Sequence, residues 1–143
     1  MFYFILIILF HIFYNRKQCI TGNSDGNVFV WSFKPQARPY KFIGHKGSIN
    51  DVAINPLGNL IASASNDQTV RIWSNNVNAK SFIIKGHSAP VQSVDFSIDS
   101  KYLLTGASDK MIKIFSVEDR KFNSSFPGHI NWVKCAKFSP DCR

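Results

Sequence analysis

The sequence predicts an all-β protein built from four-stranded propeller blades, and three observations lead there. Gly-His pairs recur at Gly44-His45, Gly86-His87 and Gly128-His129, each 42 residues from the last, without insertion or deletion. Asp25, Asp67 and Asp109 keep the same spacing, and so do Trp31, Trp73 and Phe115. A period of this length, with Gly-His early and an aromatic residue late, marks propeller blades. The frame divides the chain into an atypical apolar stretch at 1–17, a partial first blade at 18–43, a second blade at 44–85, a third at 86–127 and the start of a fourth at 128–143. Propellers close with roughly four to eight blades, and this chain holds about three and a half. The expectation is therefore an incomplete arc, either part of a longer protein or completed by other chains that cover its terminal faces and strand edges.

Residues 1–14, MFYFILIILFHIFY, lack the polar alternation of the later strands. The run is shorter than the roughly 20 residues a transmembrane helix needs. Arg16 and Lys17 follow it, where a secretory signal would place positive charge in front. In the repeat frame Ile7, Phe10 and Ile12 stand 42 residues before Ile49, Val52 and Ile54, and Phe2-Tyr3 stands where Gly-His belongs. The stretch is read as a misplaced gene start whose residues are apolar enough to form the innermost strand of the first blade.

The second blade sets out the element pattern. Ile49, Val52 and Ile54 predict a first strand, and their three-then-two spacing predicts a bulge that turns Ile49 to the side of the other two. Asn55-Pro56-Leu57-Gly58 predicts a turn with Gly58 at positive φ. Leu60 to Ser65 form a second strand, Asn66-Asp67-Gln68 a tight turn, Val70 to Trp73 a third strand and Ser81 to Ile84 an outer fourth. The third blade repeats this with Val91, Val94 and Phe96, then Tyr102 to Ala107, then Met111 to Phe115. Gly22, Ala64 and Gly106 share one repeat position, which predicts a close approach of strands or blades there.

Composition is globular, with 45% hydrophobic, 14% aromatic and 18% charged residues. The net charge of +8 favours acidic partners through long-range attraction. The charges are scattered, however, and no aromatic-spaced basic stripe points to nucleic acid. Cys19, Cys135 and Cys142 are an odd set without C-x-x-C spacing, which speaks against a disulfide framework or a zinc site and for a reducing compartment. Cys19 and Cys135 are expected inside strands as small apolar residues. His11 stands outside the repeats, and no phosphate-cradling glycine loop, metal-ligand cluster or non-periodic carboxylate pair is visible. The sequence thus points to a protein without catalytic residues, metal, cofactor or small-molecule substrate.

The periodic Gly-His, Ser or Thr, Asp and Trp residues resemble the internal hydrogen-bond network of WD repeats. The resemblance implies that His45, Ser63, Asp67 and Trp73 bond in series, in that order. The third blade has His87, Thr105 and Asp109 but Phe115, so its series is expected to end at the Asp. The first blade retains Thr21, Asp25 and Trp31, and the fourth only His129. His, Ser and Asp could suggest a catalytic triad, but their recurrence in successive blades argues for structure.

Function is then expected in surface recognition, on the face formed by the loops before the innermost strands and the turns between second and third strands. That face is expected to carry Ser48, Asn50, Pro90, Gln92, Trp132 and Lys134, with Ser24, Asn66 and Ser108 from the turns. Trp132 replaces Ser48 and Pro90 of the earlier repeats, so the blade does not require it, and an exposed Trp is a common binding anchor.

The wording of the chain resembles one subfamily more closely. WSFKPQARPYKFIGHKGSINDVA (31–53), ASASNDQTVRIW (62–73), GHSAPVQSVDFS (86–97) and GHINWVKCAKFSPD (128–141) are similar to the proteome-of-centriole WD-repeat proteins. The resemblance covers residues 18–143. It implies a seven-bladed propeller followed by a coiled coil, a location at the centriole and ciliary basal body, and tubulin and other centriolar proteins as partners. The chain departs from that pattern in lacking the first Gly-His strand, in carrying Cys142 where a turn Gly is usual, and in stopping before the remaining blades and coiled coil. Two alternatives stand beside it. One is a WD scaffold in another complex, such as a ubiquitin-ligase substrate receptor, although Trp73-Ser74-Asn75-Asn76 lacks the Asp and Arg that many such receptors carry after Trp. The other is a propeller fragment anchored to a membrane by its apolar N-terminus.

Overall fold

The computed structural model describes residues 9–12, 18–76 and 80–141, with the side chains of 9–12 outside that description. The expectations for Phe2-Tyr3, Ile7, His11 as a side chain, and Cys142 fall outside the described residues. Three antiparallel four-stranded sheets follow one another along the chain. The first holds β1 (Leu9–Ile12), β2 (Gln18–Gly22), β3 (Asn27–Ser32) and β4 (Tyr40–Ile43). The second holds β5 (Ile49–Ile54), β6 (Leu60–Ser65), β7 (Thr69–Ser74) and β8 (Ser81–Lys85). The third holds β9 (Val91–Phe96), β10 (Tyr102–Ala107), β11 (Ile112–Ser116) and β12 (Phe122–Phe126). Each sheet is a meander in which sequence neighbours pair, the arrangement of a propeller blade.

Local chemistry accounts for the strand ends. Gly58 donates its N–H to Asn55 O at 2.8 Å with φ +75°, closing the β5–β6 turn. In the β2–β3, β6–β7 and β10–β11 turns the same repeat position takes positive φ as Gly26 (+77°), Gln68 (+69°) and Lys110 (+69°). Two of these are not glycine, and each tight turn holds them by bonds to its Asp: Thr69 N–H donates to Asp67 Oδ1 at 3.0 Å and Met111 N–H to Asp109 Oδ1 at 3.1 Å. The expected bulge is present, because the β5–β6 register shifts between Ile49 and Asp51 and leaves Asn50 unpaired. The β9–β10 register shifts likewise, so Gln92 is the bulged residue of the third sheet.

The second sheet buries one face on the first sheet and the other on the third, which is why its inner strands put large apolar residues on one side and small ones on the other. Ile20, Val28, Val30 and Phe42 of the first sheet pack on Ile49, Val52, Ile61 and Trp73 of the second. Ala53, Ala62, Ala64 and Ile72 then meet Val91, Val94, Leu103 and Phe115 of the third. A Cβ on Gly22 would strike the Ile49 side chain, and one on Gly106 would lie 2.7 Å from Val133 Cγ1, so the small-residue position marks the closest approach between blades.

Residues 129–140 continue the array but form no strand. Val133 and Ala136 are buried against Leu104, Val133 N–H donates to Ala107 O at 3.1 Å, and Phe138 N–H donates to Asp95 Oδ2 at 2.9 Å. The expectation that Cys135 lies in a strand is therefore corrected: it is exposed, whereas Cys19 is buried in β2. The segment packs by its apolar side chains on the third blade, and no second strand of its own blade lies beside it among the described residues to form a ladder.

Candidate functional site

In the second blade the periodic polar residues form one chain of hydrogen bonds. Trp73 Nε1–H donates to Ser63 Oγ at 2.9 Å, Ser63 Oγ lies 2.8 Å from His45 Nε2, and His45 Nδ1 lies 2.8 Å from Asp67 Oδ2. Burial pushes the His45 imidazole below its ordinary range, so the ring is neutral at neutral pH. With Nδ1–H donating to the carboxylate, Nε2 accepts from the Ser63 hydroxyl. Burial by itself would raise the Asp67 carboxyl, but the Thr69 hydroxyl, the Lys46 N–H and His45 outweigh it and hold Asp67 at about 2. The order is thus Trp, Ser, His, Asp, which corrects the expected series His, Ser, Asp, Trp. The indole meets the serine because both lie on paired strands, in the register that sets Trp73 opposite Ile61.

The Gly of each Gly-His pair belongs to the same arrangement. A Cβ on Gly44 would lie 2.7 Å from Arg71 Nη1 and 3.1 Å from Trp73 Cη2, and one on Gly86 would lie 2.9 Å from Phe115 Cζ. Glycine is required there so that the aromatic ring can lie against the backbone. The third blade repeats the His and Asp bonds, with His87 Nδ1 2.8 Å from Asp109 Oδ2 and His87 Nε2 2.8 Å from Thr105 Oγ1. Burial lowers the His87 pKa, and Asp109 is also held below its usual range: burial opposes this, but His87 and the Ser88 N–H prevail. Because Phe115 replaces the indole, this series stops at Thr105, not at the expected Asp109. The one Thr105 hydroxyl proton is shared between His87 Nε2 at 2.8 Å and Lys113 O at 3.2 Å.

In the first blade Trp31 Nε1–H donates to Thr21 Oγ1 at 3.0 Å, while Asp25 accepts from Asn23 Nδ2 at 3.3 Å. His129 is exposed and has no hydrogen bond among the described residues. The Ser63 and Thr105 hydroxyls belong to residues with 0% exposure, so neither can attack a substrate, and the His nitrogens beside them are fully engaged.

The residues expected on the recognition face lie in two linked groups and an exposed end. Asn66 Nδ2–H donates to Ser48 Oγ at 2.6 Å, and Asn50 Nδ2–H to Asn66 Oδ1 at 2.7 Å. The same Asn50 amide reaches across to Val91 O at 2.8 Å. In the third blade Ser108 N–H donates to Pro90 O at 2.9 Å and Gln92 Nε2–H to Ser108 Oγ at 2.9 Å. The bulges explain this: the unpaired Asn50 and Gln92 are free to turn to the neighbouring turn. Ser24 is exposed beside the equivalent turn of the first blade. Trp132 does not pack into a blade. Its residue is 55% exposed, and Lys134 Nζ stands 5.2 Å from its ring centroid.

Sequence reasoning missed the inter-blade polar contacts. Asp51 is buried between the second and third sheets, where it accepts from Ser93 Oγ and Val94 N–H, each at 3.0 Å, with Lys137 Nζ at 3.5 Å. The signal was a carboxylate directly before the apolar run Val52-Ala53-Ile54 of β5. No group of His, Cys, Asp and Glu among the described residues could hold a metal ion, and no helix there is long and apolar enough to cross a membrane.

The family model described as WD domain, G-beta repeat, matches residues 37–74 and 79–116, which together make up more than half of the chain. Comparison with curated proteins gives no match.

Proposed function

This chain belongs to the WD-repeat family, and on that premise we propose that it is a non-catalytic protein-interaction scaffold acting at the centriole and ciliary basal body, with tubulin and other centriolar proteins as its partners. One observation carries the recognition surface: Trp132, at a position the blade does not require, leaves its indole in solvent with the Lys134 ammonium over the ring. An aromatic anchor with an adjacent cation suits an acidic protein surface. Support for the centriolar partner comes from the likeness of residues 18–143 to the proteome-of-centriole proteins and from the net charge of +8. The test is co-sedimentation with microtubules, together with imaging of the tagged protein in ciliated cells. The expected outcome is pelleting that falls roughly tenfold or more in Trp132→Ala, and signal at basal bodies. Pelleting unaffected by Trp132→Ala counts against the surface, and absence from basal bodies counts against the location.

A further inference from the structure

A cavity of about 380 Å³ lies in the first sheet, at the strand ends opposite the β2–β3 turn. Its apolar lining is the buried Val30 and the exposed Ala37. Its other lining residues, Lys34, Arg38, Tyr40, Ser32 and Gln18, all carry hydrogen-bond donors. Ser32 Oγ already accepts from Lys34 N–H at 3.3 Å, which leaves its own proton to donate. Gln18 Oε1 accepts from Asn75 Nδ2 of the second blade at 3.1 Å, which leaves the Gln18 amide nitrogen as a further donor. No carboxylate lines the cavity, and neither Lys34 nor Arg38 has an ion pair among the described residues. The connection that carries both cations is stiffened by Pro35 and Pro39 and closed by Ala37 N–H to Lys34 O at 3.3 Å, which limits the freedom of the backbone that presents them.

Donors in excess, two unpaired cations and the apolar lining of Val30 and Ala37 call for a guest with an oxyanion tip on a short hydrocarbon stem. The volume falls in the range of ligand pockets, roughly 300–1,000 Å³, which exceeds the need of a lone ion. We infer that this cavity is a second binding site, separate from the Trp132 face, that takes a side chain bearing a phosphate or carboxylate from a protein partner. Arg38 supplies the planar fork for the oxyanion and Lys34 a point charge. Phe33, 56% exposed beside them, offers an apolar contact to the partner's flanking residues.

The test is fluorescence anisotropy on the full chain with three labelled peptides of one sequence, carrying at the central position phosphoserine, glutamate or serine. At least one anionic peptide is expected to bind tenfold or more tighter than the serine peptide. Phosphoserine alone would assign a phosphate, and both would admit a carboxylate. Lys34→Gln with Arg38→Gln should bring binding down to the serine level, and Tyr40→Phe, which keeps the ring, should weaken it a few-fold. Lys85→Gln with Lys121→Gln, the same charge change on exposed residues outside the cavity, should leave it unchanged, as should Trp132→Ala. Equal loss in both charge variants, no preference over the serine peptide, or capture only by phosphatidylserine vesicles would each overturn the assignment.

Discussion

At the residue scale, the polar network of the second blade works because each member uses its hydrogen-bonding capacity in one direction. The indole can only donate, the carboxylate can only accept, and Ser63 and neutral His45 each do both between them. Asp67→Ala therefore leaves the buried His45 Nδ1–H and the Lys46 N–H without their acceptor, and is expected to cost roughly 1–3 kcal/mol. Trp73→Phe removes the terminal donor, as at Phe115 of the third blade, and also part of a buried ring that packs on Phe42, so a cavity cost adds to the lost bond; paired thermal melts compare the two. Acid should act through the same residues. The unfolded His45 takes up a proton near 6.5 and the folded ring resists it, so stability begins to fall as pH drops below 6.5. The unfolded Asp67 protonates near 3.8 and the folded one at about 2, so its contribution is intact above about pH 4 and is lost on descending towards 2. Melts from about pH 7 to about pH 3 should show this decline, and its lower limb should be shallower in Asp67→Ala, with Asp109, also held below its usual range, supplying the remainder. The 42-residue period made these members legible in the sequence. It could not give their order, because contact between Trp and Ser depends on strand register and contact between His and Asp on a loop crossing to a turn.

At the element scale, a strand's place in the array is set by what the neighbouring blade allows at its small-residue position. Ala64 fits there, whereas a methyl on Gly106 would press on Val133 Cγ1 at 2.7 Å and Ala136 Cβ at 3.3 Å. Gly106→Ala is expected to lift residues 129–140 off the third blade at a cost of roughly 1–3 kcal/mol. Ala64→Gly should cost only about 0.5–1 kcal/mol, from backbone entropy. Hydrogen exchange reads the difference directly. The Val133 N–H, bonded to Ala107 O, should lose protection in Gly106→Ala while the β5–β6 amides keep theirs; unchanged protection at Val133 would mean that the segment is held by other contacts. Strand positions were legible because alternation and turn chemistry agree: β6 and β10 run over the expected residues and β11 begins one residue late. Cys135 was misplaced because the pattern of residues 131–138 is that of a strand, and a pattern does not supply the partner on which a ladder depends.

At the scale of the whole molecule, an array of blades is as cooperative as its interfaces, and the interface between the second and third sheets has two parts of different kind. One is the apolar cluster that runs from Ala62 and Ile72 to Val94 and Leu103. The other is the buried Asp51 carboxylate, which takes the Ser93 hydroxyl and the Val94 N–H from the next blade and faces Lys137 from the segment beyond it. Neither this carboxylate's role nor the cavity under residues 33–39 was legible in the sequence. A period reports what successive blades share, while Asp51 is followed by Ser93 and Cys135 at its repeat position, and the 33–39 connection differs from its counterparts. Asp51→Ala strands the buried Val94 N–H, removes one of the two acceptors of the Ser93 hydroxyl, which keeps Ala136 O at 3.2 Å, and leaves Asp95, at 3.8 Å, as the one carboxylate near Lys137 among the described residues, so a loss of roughly 2–3 kcal/mol is expected from charge-assisted bonds of this type. Because the loss sits at one interface, it should uncouple the blades. The Val94 amide should exchange faster, and the third blade with residues 129–140 should unfold in denaturant ahead of the first two blades, giving two transitions in place of one. A single transition shifted to lower denaturant with unchanged slope would instead mean that the apolar cluster alone couples the blades and that Asp51 adds only stability.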